Sequence, residues 1–526
     1  MTASRRSMLK LAAGAGLAMA TTPALSGCSA HSELNPGQLT STARLPAPFT
    51  VPLPVPTPMK PSTTGAGGDR YAMTLRQADV EILPGYRTRI WGYDGTFPGP
   101  YLEARQGIAT ALTLTNALSV PIATHLHGAL APPTEDGFPT DLVYPASLAD
   151  LADPAKTAAM SDMPGMPGMP SMADPLARTS ALTRTYTFPM AQRAATLWYH
   201  DHRMDFTGAQ VWKGLFGPCV VRDEREAALG LPCGPREIPL MITDRAFDAD
   251  GQLIYPTSDP TLLGRPDMAK TIAAGAQGDV ILVNGAPWPH LEVAAVRYRL
   301  RFVNASNARR YELTLDGPAD SAFTQVGSDG GLLTTPLTHR TLHISPGERF
   351  DVVVDFSRYP VGSLVTLRNT AASGGPGQVM QFKVTSKAGD DSTIPTTLST
   401  IETLTPTGTP HRLVFSRGAD RWRINGTTFD PAKPLLHPQF GAVEEWRVLS
   451  TERHPFHLHG TQFQVLGRNT GGPGAYDHGW KDTVELSPGT EIRLAVRFDA
   501  YRGRFLAHCH NLEHEDMGMM ATLSVS

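Results

Sequence analysis

Ten of the seventeen histidines fall into four short clusters, and the last cluster contains a cysteine. The clusters are His125-Leu126-His127-Gly128, Trp198-Tyr199-His200-Asp201-His202, His454-Pro455-Phe456-His457-Leu458-His459-Gly460, and His508-Cys509-His510-Asn511-Leu512-Glu513-His514-Glu515-Asp516-Met517-Gly518-Met519-Met520. Imidazoles, thiolates and thioethers are soft or borderline ligands that favour copper over calcium or magnesium. In an extended segment His-x-His turns both rings to one face, because successive side chains alternate. The same rule turns Cys509 away from His508 and His510. A metal on the thiolate and metals on the two imidazoles are then joined through only a few covalent bonds. His514 and Met519 follow in a segment that can loop back to the thiolate's side. A thiolate, histidine and a distant methionine make an electron-transfer copper set.

Ligand counting extends the argument. A thiolate-centred site takes His454, Cys509, His514 and Met519, which leaves His125, His127, His200, His202, His457, His459, His508 and His510. Eight imidazoles suffice for three more ions, with positions left open for oxygen species, whereas one mononuclear site has no use for them. A single His-x-His pair arises on surfaces by chance, and a lone buried cysteine among core histidines is common. Four clusters in one chain are neither. The remaining histidines, His31, His290, His339, His343, His411, His437 and His478, are scattered and read as surface or core residues.

These ligands need rigid elements. Glu491 to Phe498 alternates polar and apolar residues and predicts a strand, with a second over Arg504 to His510. Similar short runs recur from Tyr71 onward, including Ile108 to Leu114, Leu300 to Asn304, Arg349 to Phe356, Val379 to Val384 and Glu445 to Leu449, broken by Gly and Pro. Many short strands with few helical stripes predict an all-β chain of sandwiches. At 526 residues the chain exceeds one core. Turn-rich joints near 225 to 237 and 385 to 400 divide it into domains over 69–232, 233–388 and 389–526.

The N-terminus reads as an address. Ser4-Arg5-Arg6-Ser7-Met8-Leu9-Lys10 is a twin-arginine pattern ahead of a short apolar run, and Leu25-Ser26-Gly27-Cys28 resembles a lipobox with Cys28 as the lipidated residue. We therefore expect export, with residues 1–28 as signal, and a cell-envelope location anchored on the outer side of the cytoplasmic membrane. Residues 29–68, rich in Pro, Ser, Thr and Gly, are expected to tether the body or lie along it. With Cys28 and Cys509 assigned, Cys219 and Cys233 are left as an expected disulfide in an oxidising compartment. A net charge of −3 gives no basis for a nucleic-acid partner.

Together the clusters resemble, in order and spacing, the signature of the multicopper oxidases. Trp91-Gly92-Tyr93-Asp94-Gly95, Ile242-Thr243-Asp244-Arg245, Ile281-Leu282-Val283-Asn284-Gly285, Val303-Asn304-Ala305-Ser306-Asn307 and Gly327-Ser328-Asp329-Gly330-Gly331 are similar to the bacterial spore-coat laccase and bilirubin oxidase branch. The resemblance spans about Leu45 to the C-terminus. It implies three consecutive cupredoxin-like Greek-key β-sandwich domains and four copper ions. It assigns His454, Cys509, His514 and Met519 to type 1 copper, His125 and His457 to type 2, and His127, His200, His202, His459, His508 and His510 to the type 3 pair. It also implies electron transfer from a small reductant to dioxygen, with Asp136 and Glu515 as proton relays.

One stretch departs from that branch. Within an insert at about 145–178, Met160, Met163, Met166, Met169 and Met172 recur at every third position among Pro and Gly. Pro and Gly forbid a stable helix, and in a polyproline-like chain this spacing stacks the thioethers on one side. Thioethers prefer Cu(I), so the insert is an expected extra Cu(I) site and the enzyme an expected cuprous oxidase in copper tolerance. The competing readings are a floppy linker, a copper-sequestering lipoprotein without turnover, a copper nitrite reductase, which lacks this double His-x-His, and an oxidase specific for bilirubin-like tetrapyrroles or Mn(II).

Overall fold

The structure, a computed structural model, describes residues 37–526 apart from 66, 154–173, 258, 264–269, 319–320 and 419–420. The Met-rich run Met160 to Met172, the twin-arginine pattern, Cys28 and His31 lie outside the described residues. Strands make up 43% of the structure and helices 8%, as an all-β reading requires.

Three sandwiches follow one another. In the first, a sheet ordered Thr88–Tyr93, Asp69–Val80, Thr110–Asn116, Thr183–Phe188 faces one ordered Leu102–Arg105, Phe216–Arg222, Ala195–Asp201, Thr124–His127. The second places a seven-stranded sheet, with Glu237–Arg245, Arg297–Asn304 and Arg349–Asp355 at its centre, over a five-stranded one. The third sets a five-stranded sheet against the four strands Thr483–Leu486, His454–Leu458, Gly503–Cys509 and Met520–Val525. Each sandwich has its own buried apolar cluster.

Burial patterns show which strands serve the core alone and which serve a second surface. Asp69–Val80 alternates, with Tyr71, Met73 and Leu75 inside and Arg70 and Arg76 in water. Ala195–Asp201 is buried along its whole length. One face sends Leu197 and Tyr199 into the first core, and the other sends Trp198 into a cluster shared with the second domain. Strand Gly503–Cys509 divides likewise. Phe505, Ala507 and Cys509 enter the third core, while Leu506 joins Phe138 of the first domain. Such doubly buried strands carry the histidine clusters because their outer faces meet another domain.

The described part of the Pro-rich segment lies along the body. Gly37–Gln38 pairs in parallel with Ala276–Gln277, Leu53 donates to the His290 carbonyl at 2.7 Å, and Met59 donates to the Tyr101 carbonyl at 2.7 Å.

The expected disulfide is absent: Cys219 and Cys233 are both free thiols. Strand alternation turns Cys219 into the first core, where burial pushes its thiol up to about 12. Cys233 sits exposed beyond the helix Glu224–Ala228, at the turn Gly234–Arg236 that leads into the second domain. A side chain inside a sandwich and one on an outer turn do not meet, whatever their spacing in sequence.

Candidate metal centre

Two groups of ligands flank the strand that ends at Cys509. On its core face, His454, Cys509 and His514 bring their donor atoms within 4.8 Å of one another. The Cys509 sulfur lies 3.3 Å from His454 Nδ1 and 3.7 Å from His514 Nδ1, and accepts the Asn511 N–H at 3.4 Å. Met519 returns to this site through backbone bonds. Its N–H donates to the His514 carbonyl and its carbonyl accepts from Cys509, each at 3.0 Å. Its side chain is fully buried in the same cluster as Cys509.

On the opposite face, eight imidazoles converge from the first and third domains. They form the sets His127, His200 and His510, then His202, His459 and His508, and His125 with His457 beside His127. Strand pairing explains the meeting: His200 sits opposite His125, and His457 opposite His508. The second set closes through His202 Nε2 and His459 Nε2, at 3.4 and 3.1 Å from His508 Nε2. All the histidine and cysteine ligands expected from the sequence are therefore gathered, while the described members of the scattered seven stay outside every such group.

The donor chemistry fits metal. Several ring nitrogens are tied down: His125 Nδ1 to the Asp136 carbonyl at 2.6 Å, His200 Nδ1 to the Asp201 carbonyl at 2.8 Å, and His457 Nδ1 to the Asp482 carbonyl at 2.9 Å. These contacts fix the tautomer and aim the other nitrogen inward. The inward atoms, His125 Nε2, His200 Nε2 and His457 Nε2, are buried without a hydrogen-bond partner, as are both ring nitrogens of His510. Buried polar atoms left bare in a native fold call for a ligand. His127 is reversed: its Nε2 lies 3.1 Å from Asp482 Oδ1 and its Nδ1 is the bare atom. Burial, reinforced by the crowded rings, holds His125, His127, His457 and His459 well below the usual imidazole range, and burial holds His200 at about 4. Neutral imidazole is the metal-binding form. Burial likewise raises the Cys509 thiol, so a metal is needed to make it a thiolate.

The two carboxylates singled out from the sequence both line the histidine face. Asp136 Oδ2 lies 2.9 Å from His459 Nδ1, and Glu515 bridges His202 Nδ1 at 3.3 Å and His508 Nδ1 at 3.2 Å. Burial pushes Asp136 up to about 8. Burial also opposes ionisation of Glu515, but the His202 and His508 rings outweigh it and bring Glu515 down to about 2. Two carboxyl groups on one cavity are thus driven apart, one toward proton donor and one toward base.

Three contributors carried no sequence signal. Asp482 meets both His127 and His457, and its carboxylate forms a buried two-pronged pair with Arg349 of the second domain at 2.6 and 2.5 Å. Trp422 lies against His514, with ring centroids 4.0 Å apart, and edge-on to His454 at 5.1 Å. A lone Asp, Arg or Trp has no pattern that announces such a contact.

Comparison with known proteins agrees with this geometry. Family models described as multicopper oxidase match residues 74–146 with 157–226, 254–386 and 395–526. The chain is 32% identical to a laccase of Bacillus subtilis, over 91% of this chain and 98% of that one. It is 31% identical to a bilirubin oxidase of Albifimbria verrucaria, over 91% and 81% of the two chains. A crystal structure of a multi-copper oxidase from Pediococcus acidilactici superposes with a TM-score of 0.77 at 31% identity, covering 93% of both chains. With thiolate and histidine sets on two faces of one strand, and these matches along three successive domains, the chain belongs to the multicopper oxidase family and is a copper-dependent oxidoreductase.

Proposed function

We propose that the chain couples one-electron oxidation of small reductants, Cu(I) and/or phenols and aromatic amines, to the four-electron reduction of dioxygen to two waters. One type 1 copper is held by His454, Cys509, His514 and Met519, one type 2 copper by His125 and His457, and the type 3 pair by the other six imidazoles. When bound, copper supplies the one-electron couple and the oxygen-reducing centre. The observation that carries this reading is the strand Gly503–Cys509, whose core face carries the thiolate while His508, one peptide bond away, faces the imidazole cavity.

The chain's own residues do the rest. Cys509 and His508 give electrons a covalent path between the two ligand sets. Asp136, protonated at neutral pH in the metal-free chain, stands ready to deliver a proton at the His459 side, and ionised Glu515, held between His202 Nδ1 and His508 Nδ1, is placed to take up a proton arriving from outside and hand it into the cavity. Full burial of the eight imidazoles excludes bulk water from the cavity.

On the substrate side, the relatives' names favour organic reductants, and the Met spacing at 160, 163, 166, 169 and 172 favours an additional Cu(I) site and a role in copper tolerance. Twin-arginine export and lipidation at Cys28 put this activity on the outer side of the cytoplasmic membrane. Oxygen uptake with a phenolic dye and with Cu(I), before and after deletion of residues 160–172, tests the assignment. Deletion is expected to weaken Cu(I) oxidation far more than dye oxidation. Equal losses would remove the Cu(I) role, and no oxygen uptake with either reductant would sink the oxidase reading.

A further inference from the structure

The helix Leu512–Asp516 carries His514 and Glu515 side by side, so it serves both ligand sets, yet it has only five residues. A helix this short does not hold itself in water and must be held from outside. Its remaining two acidic residues are buried and point to other domains. Glu513 Oε1 accepts from Asn307 Nδ2 at 2.7 Å and from the Tyr255 hydroxyl at 3.0 Å, while Oε2 accepts from the Ala276 N–H at 3.0 Å. All three donors belong to the second domain. Asp516 accepts from the N–H groups of Thr207 and Gly208, each at 2.8 Å. Those residues open the helix Thr207–Lys213 of the first domain, just beyond His200 and His202.

Gly208 is where the three domains touch. Its N–H goes to Asp516, its carbonyl accepts from Asn307 Nδ2 at 2.9 Å, and a Cβ there would stand 2.7 Å from the Tyr255 hydroxyl and 3.0 Å from both Glu513 Oε1 and Asp516 Oδ2. The second domain adds an Asn307 carbonyl that accepts the Leu512 N–H at 3.1 Å. No residue in this set is a copper ligand.

We propose that Glu513 and Asp516 are positioning residues that latch the His514–Glu515 helix to the second and first domains respectively, so that domain docking sets the geometry of the type 1 site. The proposal rests on the copper assignment given above. A carboxylate that merely fills a polar interface would affect stability alone; a latch also sets the ligand geometry around the type 1 copper.

The test uses full-length Asp516→Asn, Glu513→Gln and Gly208→Ala. In the metal-free protein, hydrogen exchange at residues 512–516 should rise at least ~10-fold, with the strand Glu444–Ser450 unchanged. In the copper-loaded protein, the type 1 hyperfine splitting and reduction potential should shift and kcat should fall with KM for the dye unchanged. Asp516→Glu, which keeps two acceptor oxygens, should recover part of the signal. Should a variant fail to fold, Asn307→Ser removes one donor to Glu513 without touching a carboxylate, and the same shifts are expected on a smaller scale. Unchanged exchange at 512–516, or a lowered Tm with parental hyperfine splitting and potential, would overturn the latch. A parent chain that takes up copper without a blue absorption would defeat the copper assignment instead, and the exchange measurement would still decide whether the carboxylates hold the helix.

Discussion

Asp136 and His459 meet at 2.9 Å although 323 residues separate them along the chain. That contact joins the first domain to the third at the imidazole cavity, and in the proposed reaction it puts a carboxyl group beside the site where protons would be consumed. Asp136→Asn keeps the shape and removes the acid. Oxygen reduction should slow by about 10²-fold or more while the blue absorption stays, as read by stopped-flow reoxidation. Full turnover in the variant would remove Asp136 from the proton path.

The same residue gives a pH signature in the metal-free protein. Its folded pKa, about 8, is raised above the ordinary carboxyl value, so the folded state holds the proton more tightly than the unfolded one. The stability this brings is complete below the unfolded pKa and is lost as pH rises through about 8. Metal-free Asp136→Asn should therefore gain Tm relative to the parent between pH 5 and 9, in thermal melts with a chelator. Parallel melting curves across that range would contradict it.

Cys509→Ser replaces the sulfur that lies between His454 and His514. Blue absorption and dye turnover should vanish together while copper on the eight-imidazole face persists, as measured by metal analysis and EPR. Retained turnover would break the link between the two faces.

Trp422 is fully buried and packs on His514. Trp422→Ala should cost about 3–5 kcal/mol of stability, and Trp422→Phe less, with a shifted type 1 reduction potential in both. Chemical unfolding and a redox titration read the two effects separately.

Because Cys219 and Cys233 are free, a thiol reductant should leave the melting curve of the metal-free protein in place. Cys233→Ser on its exposed turn should change stability by no more than about 0.5 kcal/mol. A fall of several degrees on reduction would show a bridge.

The ligand set was legible because imidazoles two apart in a strand share a face whatever the rest of the fold does. His125 with His127, or His200 with His202, announces its geometry within three residues. Asp482, Arg349 and Trp422 had no such local rule. Each matters through a neighbour far away in the sequence, and Arg349 reaches Asp482 from another domain. The Cys219–Cys233 expectation failed for a related reason. Spacing along the chain says nothing about which side of a sandwich a strand shows, and alternation in Phe216–Arg222 settled that. Residues 29–68 read as a tether or as a segment lying along the body because their composition suits extended chain, and their described part pairs along its neighbours, as extended chain can.

The imidazole cavity is built from the first and last domains, and its closing members, His508 and His510, lie close to the C-terminal end of the chain. A ribosome making this protein releases His125 and His200, which face each other across one sheet, long before His508 and His510 exist. The cavity is therefore complete only once the third domain exists and the strand Gly503–Cys509 has taken its place between His454–Leu458 and Met520–Val525.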